Sequence, residues 1–214
     1  MLRIGHNKIS HIVQQWNQVQ IENLRDFSWT VEDYGQKENW ITEKYDSSLL
    51  QSVSLFVCPF WPFQLVAHTF LSFHFSDGKS LCVSVEIQAQ QWESYNYFKA
   101  FLNGYRSIVI WWTERDIIGL RTNIRNEPVI RYPLHIRHSS IKKLFKNLIK
   151  NTNLVNENDT RYLVVRNNCT TAIWNIAREI FPLPRRHRSL FFSAYLPNYL
   201  GKLGIINLSE WKKL

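Results

Sequence analysis

Apolar and polar positions alternate along this chain with two periods, and each predicts its own element. The run Leu-Val-Ala-His-Thr-Phe-Leu-Ser-Phe-His-Phe at 65–75 alternates with a period of two. It predicts a strand with His68, Phe70, Ser72 and His74 on a mixed face and Thr69, Leu71, Phe73 and Phe75 on an apolar one. Ser-Asp-Gly-Lys at 76–79 supplies a hairpin turn, and 81–87 returns as a second strand carrying Ser84 and Glu86 on one face. Further strands are expected at 109–112, 117–122 and 129–134, and a short one at 161–166. Helical periodicity appears three times. Ile9, Ile12, Val13 and Trp16 predict a short amphipathic helix within 1–18, ahead of a single domain at 19–214. Ile141, Leu144, Phe145, Leu148 and Ile149 predict a helix from Ser140 whose other face carries Lys142, Lys143, Lys146, Asn147 and Lys150, with a polar loop following at 151–159. Ile173, Ile176, Ala177 and Ile180 predict a third helix, stopped by Pro182.

The chemistry gathers where the third helix begins. Asn-Asn-Cys-Thr-Thr at 167–171 places Cys169 in its first turn, after a strand and a turn. There Asn168 caps the helix, and the free N–H groups with the positive end of the dipole favour a thiolate below the ~8.5 of a free thiol. The backbone N–H of Cys169 is placed to face a developing oxyanion. A cysteine in this position also packs well as a small apolar residue. A nucleophilic reading requires a base, and the best candidate is His68 on the strand at 65–75, with Glu86 or Ser84 on the neighbouring strand as the group that orients it. His6, His11, His74, His135, His138 and His187 compete for the role.

Four segments in order carry a resemblance to a known family: Ala-His-Thr-Phe-Leu-Ser-Phe at 67–73, Ser-Val-Glu-Ile at 84–87, Glu-Arg-Asp-Ile-Ile-Gly-Leu-Arg-Thr-Asn at 114–123, and Asn-Asn-Cys-Thr-Thr at 167–171. They resemble the ordered motifs of the Lnb N-terminal periplasmic domain family. Leu-Arg-Asp-Phe at 24–27 and the segment 199–206 look like the same family, so the resemblance runs from about Val19 onward. It implies an α+β, permuted papain-like fold of the NlpC and lecithin:retinol acyltransferase kind, with a central antiparallel sheet and the nucleophile at a helix N-terminus. It also implies a bacterial acyltransferase that moves a fatty acyl group, through a thioester on the motif cysteine, to the N-terminal amine of a diacylated lipoprotein at the periplasmic face of the inner membrane. Carried onto this chain, the nucleophile is Cys169 and the base His68. Glu86 is preferred to Ser84 as third member because a carboxylate both orients imidazole and stabilises imidazolium. Arg115, Asn168, Thr170 and Ser84 are the candidate substrate contacts. Arg115 is a carboxylate or phosphate clamp on one reading and a structural ion pair on the other. Gln88 stands where members often carry an arginine.

Composition narrows the picture. The 214 residues fit one domain with a sizeable core. Nine Trp among 14% aromatic residues suit either an aromatic core or a lipid-facing groove. The three cysteines have no Cys-x-x-Cys spacing, so neither a zinc cluster nor a disulfide framework is indicated and no metal or cofactor is expected. Cys58 and Cys82 read as two buried free thiols or, in an oxidising compartment, as a bridge. No segment is long and apolar enough to span a bilayer, and 1–20 lacks the apolar core of a signal peptide. The net charge of +9 is concentrated in the lysine face at 142–150 and in Arg185, Arg186 and Arg188, which precede Leu190, Phe191 and Phe192. Basic residues beside aromatics suit an anionic membrane surface; without a recognised nucleic-acid module, nucleic acid is not the expected partner.

Three function classes remain. One is a thioester acyltransferase with a phospholipid donor and an amine acceptor. A second is a papain-like hydrolase, peptidase or lipid and thioester hydrolase, with the same Cys169 and His68 and with water as acceptor. The third is a silent membrane-binding module, in which the two side chains would lie apart.

Overall fold

A computed structural model describes residues 5–30, 38–59, 65–88, 105–158, 161–162 and 168–214. The fold is α+β, an open mixed sheet with a few helices. Its strands are β1 His11–Gln15, β2 Gln18–Arg25, β3 Trp40–Asp46, β4 Leu50–Pro59, β5 Ala67–Phe75, β6 Ser80–Gln88, β7 Tyr105–Trp112, β8 Ile130–Pro133, β9 Arg161–Tyr162 and β10 Lys212–Lys213. The order across the sheet is β1-β2-β7-β6-β5-β4-β8-β10, with β3 paired to β2 and β9 to β7. Most pairings are antiparallel; β2 meets β7 in parallel through Arg25 and Trp112. The helices are α1 Glu114–Gly119, continued by a π turn at Leu120–Ile124, α2 His138–Glu157, α3 Cys169–Ala177 and α4 Leu196–Lys202.

Both faces of the sheet centre are covered, which is why β5 and β6 are buried almost without alternation. One face sets Leu55, Leu71, Phe73, Val83 and Trp111 against α2, α3 and α4. The other sets Phe56, Cys58, Phe70, Cys82, Ile110 and Trp112 against α1 and the π turn. Helix α2 buries Ile141, Leu144, Phe145, Leu148 and Ile149, as its periodicity predicts. Its lysines Lys142, Lys143, Lys146 and Lys150 face solvent.

Three expectations are overturned. The helix expected within 1–18 is a strand over 11–15, and the boundary expected at 18/19 falls inside the β1–β2 hairpin. Of its apolar stripe, Ile12 is buried opposite Ile21, whereas Trp16 is 96% exposed in the hairpin turn with φ 55. Asn153 holds the outer edge by bonding both the N–H and the C=O of Ile12. The strand expected at 117–122 is the end of α1 and its π turn. Thr113 caps that helix by accepting the N–H of Asp116, a local signal that outweighs the short apolar run. The polar loop expected at 151–159 is the last two turns of α2 as far as Glu157. Two of its polar residues are buried because they bond β7: Asn156 spans the backbone N–H and C=O of Val109, and Thr152 accepts from the Trp111 side chain at Nε1. The strand expected at 161–166 is seen at Arg161–Tyr162, paired with β7, and its remainder lies outside the described residues.

Candidate active site

The β5–β6 ladder is incomplete, and the candidate site occupies its gap. Pairing runs from His74↔Ser80 to Leu71↔Val83, and it joins none of residues 67–70 to 84–88. By alternation His68 lies on the face of Phe70, while α3 packs on the face of Thr69 and Leu71. Where the strands separate, the two faces communicate. Cys169, the first residue of α3, sits at this opening with Sγ 4.0 Å from the Ala67 carbonyl and near the Thr69 backbone, which has no β6 partner.

Helix α3 starts at Cys169 because Asn168 caps it. The Asn168 side chain accepts the N–H groups of Thr170 and Thr171, and Thr171 Oγ1 accepts the Asn168 N–H in return. Thr170 spends its hydroxyl on Thr69, at 3.0 Å across the opening. Asn168 and Thr170, expected as substrate contacts, therefore fix the helix start and its docking to β5. Asn167 lies outside the described residues.

The structure brings His68, Glu86 and Cys169 together. His68 is 4% exposed, with Nε2 3.1 Å from Glu86 Oε1, close but not aligned for a linear hydrogen bond. With Nε2 turned to Glu86, Nδ1 is the nitrogen left for the sulfur, close enough for the two charges to act on each other. Burial by itself pushes the Cys169 thiol up; the adjacent His68 and the nearby Thr69 backbone outweigh it and hold the thiol below its ordinary range. For His68, burial and the Arg121 cation act downward, yet Glu86 and the Cys169 sulfur raise it overall. Glu86 is held well below the carboxylate range, since His68 and Arg121 outweigh its burial. All three shifts act in the direction of thiolate, imidazolium and carboxylate.

Ser84, expected as a substrate contact, is fully buried beneath Glu86. It donates to Glu86 Oε1 at 2.9 Å and accepts Trp112 Nε1–H at 2.9 Å, so a chain of hydrogen bonds runs from the sheet core to the carboxylate. Arg115 bonds Asp26 at 2.8 Å through a side chain that is 66% exposed. Sequence reasoning missed Arg121. It is 2% exposed on the π turn, paired with Glu127 at 2.7 Å, and its Nε has no hydrogen-bond partner among the described residues. It stood inside the 114–123 segment, but the strand expected there gave no reason to single it out.

Five of the six competing histidines have other work, while His6 is buried with its charge acting on Glu86. His74 contacts Ser54 Oγ and Arg131 Nη2, each at 3.2 Å, and His138 bonds the Leu50 carbonyl. His135 pairs with Glu210, His11 with Glu22, and His187 stacks on Tyr199. Cys58 and Cys82 are buried free thiols, and burial pushes Cys58 up to about 12. No cluster able to hold a metal ion lies among the described residues.

Arg185, Arg186 and Arg188 are exposed, as are Phe191, Phe192 and Tyr195. The segment that carries them is pinned beside the site: Ser193 Oγ accepts the Ala67 N–H at 2.7 Å and donates to the Ala67 carbonyl at 2.8 Å, one residue before His68.

The three side chains and all four motif segments fall within residues 36–196, the stretch matched by the family model described as the Lnb N-terminal periplasmic domain. The chain belongs to the Lnb N-terminal periplasmic domain family. Segments 24–27 and 199–206, which also look like the family, lie outside the matched stretch. No curated protein and no solved structure matches the chain. No helix among the described residues is long and apolar enough to cross a membrane. The description of the matched family fits a periplasmic location.

Proposed function

We propose that this Lnb-family domain is a cysteine-dependent acyltransferase with a permuted papain-like fold, acting at the periplasmic face of a bacterial inner membrane. The observation that carries the reading is the convergence of Cys169, at a capped helix start, with a buried His68 that lies 3.1 Å from Glu86. In the first half-reaction the thiolate attacks the carbonyl carbon of a phospholipid ester. The S–C bond forms, the C–O bond breaks, and the imidazolium gives its proton to the departing lyso-phospholipid alkoxide. In the second, a neutral amine attacks the thioester. The N–C bond forms, His68 takes the amine proton, and the thiolate leaves. The Thr170 and Thr171 N–H groups are engaged by Asn168, which leaves the Cys169 N–H as the first-turn donor for the oxyanion; one such donor contributes about 10²–10³ in rate. By family resemblance the acceptor is the N-terminus of a diacylated lipoprotein.

Intact-mass spectrometry after incubation with phospholipid vesicles tests the reading. An acyl adduct on Cys169 that moves to an added N-terminal cysteinyl lipopeptide is expected. An adduct lost only to water assigns the hydrolase reading, and no adduct on Cys169 overturns both.

The Arg185, Arg186, Arg188, Phe191 and Phe192 surface is the proposed membrane contact, with the guanidinium groups at the headgroups and the rings at their depth. Co-sedimentation with anionic liposomes should fall for an Arg185/Arg186/Arg188 to Glu variant, and for the unaltered protein at high salt. Equal, salt-independent binding by both contradicts it.

A further inference from the structure

A strained residue stands in the open at the far end of the sheet from Cys169. The turn that joins β1 to β2 has Trp16 and Asn17 at its centre, between the paired Gln15 and Gln18. Its positive φ, 55, falls at Trp16, the first central position, which two-residue hairpins of this kind give to glycine. A bulky residue held there costs roughly tenfold in the folding equilibrium. Packing returns nothing for it, because Trp16 is 96% exposed. The surroundings hold it in place: the Gln14 amide donates to the Trp16 carbonyl at 3.3 Å, and the Asn17 carbonyl accepts the Ser47 N–H at 2.8 Å. An indole kept rigid and exposed at a conformational cost is positioned for a partner. Beside it opens a cleft of about 290 Å³, at the small end of ligand sites, lined by Gln14, Asn17, Ser47 and Ser48 from the sheet and its turns and by Lys142 and Lys146 from α2. Neither lysine has an ion-pair or hydrogen-bond partner among the described residues. Asp46, the carboxylate of the adjoining turn, is engaged by the N–H and hydroxyl of Ser48.

We propose that this cleft binds an acidic saccharide, with a sugar ring laid on the Trp16 indole and its carboxylate between Lys142 and Lys146. Three features select that class together. The flat exposed indole takes the C–H face of a sugar, the amides and hydroxyls take its hydroxyl groups, and the unpaired ammonium groups take the anion. Position disfavours a lipid surface. Strand β5 runs nine residues, roughly 25 Å, from Phe75, paired with Leu50 at this cleft, to Ala67 beside the candidate active site. The Arg185, Arg186 and Arg188 segment is pinned at that other end, through Ser193 and Ala67. An acidic peptide would use the lysines and leave the indole idle. The binding does not depend on the thioester reading.

Isothermal titration of the whole chain with a short oligogalacturonate tests the proposal, beside a neutral oligoglucose, a polyglutamate of equal charge and anionic phospholipid vesicles. The galacturonate should bind about tenfold or more tightly than the peptide and the neutral sugar, and should weaken as salt rises. Trp16→Gly should lose that binding about tenfold. Its denaturation midpoint should stay at or above the parent's, since glycine relieves the positive φ, so the loss cannot come from misfolding. The Lys142→Gln/Lys146→Gln variant should weaken binding by a similar factor and flatten its salt dependence. Absent galacturonate binding, binding that survives Trp16→Gly, or polyglutamate bound as tightly would each overturn the proposal. So would vesicle binding that Trp16→Gly abolishes, which assigns the indole to a membrane, or a midpoint that falls sharply in that variant, which assigns it to the fold.

Discussion

Two charge centres lie on opposite sides of Trp112. On one side Arg25, 2% exposed, stacks on the rings of Phe27 and Trp112 and bonds Asp116 at 3.0 Å. Asp116 is fully buried and also accepts the Phe27 N–H and Trp29 Nε1–H. Gly5 closes this centre with φ 77, where an added Cβ would fall 2.3 Å from Arg25 Nη1. On the other side Trp112 Nε1 feeds Ser84, Glu86 and His68. There the geometry is loose. The His68–Glu86 contact is not linear, the sulfur lies 4.0 Å from its backbone neighbour, and the ladder is open. The first centre satisfies its charges with redundant donors and holds β2 to α1. The second keeps a proton poised between groups, which needs a sulfur that is not fully bonded. Redundant satisfaction marks a structural ion pair, and the unfinished set marks the candidate site.

Substitutions should separate the two. The largest effect is expected at Cys169→Ala: acyl-adduct formation and turnover abolished, with denaturation midpoints close to the parent because little volume is lost. Retained turnover in this variant would leave the family membership as a statement of fold alone. Next, Asp116→Ala should lose about 3–5 kcal/mol of stability, since it strands a buried guanidinium. The Cys169 alkylation rate of the molecules that stay folded should hold, and a rate that falls in step with stability would merge the two centres into one. Smaller again, Glu86→Gln should cost about 10²-fold in turnover. It should also move the reactive window to lower pH. Glu86 raises both His68 and Cys169, so without its charge the imidazolium is lost at lower pH and the thiolate forms at lower pH. An unmoved window would show that Glu86 acts by shape alone.

The elements around the site were legible in the sequence because each rests on local pattern. The period of two over 65–87 predicts the β5–β6 hairpin, and the Asn cap with the 173–180 periodicity predicts α3. The gap between β5 and β6 was not legible, because pairing is a tertiary property that alternation does not encode. For the same reason period-two reasoning placed His68 on a face without showing that a helix packed on the other face meets it through the opening. The β1 strand was hidden by a coincidence, four apolar residues at helical spacing of which Trp16 points into solvent. The T-x-x-D pattern at Thr113 and Asp116 was a signal for α1, and with it the placement of Arg121 could have been found. The polar residues that end α2 look like a loop only until the strand backbone they bond is known.

The central claim, that His68 holds Cys169 as a thiolate, is tested most directly by the pH dependence of iodoacetamide alkylation at Cys169 in the unaltered protein and in His68→Ala. The lowered thiol and raised imidazole predict that the unaltered protein keeps its reactivity well below the ~8.5 at which a free thiol titrates. In His68→Ala that low-pH reactivity should vanish, leaving a single rise at or above the free-thiol value, because burial without the imidazolium pushes the thiol up. Superimposable curves for the two proteins, or an unaltered protein that titrates as an ordinary thiol, would contradict the account.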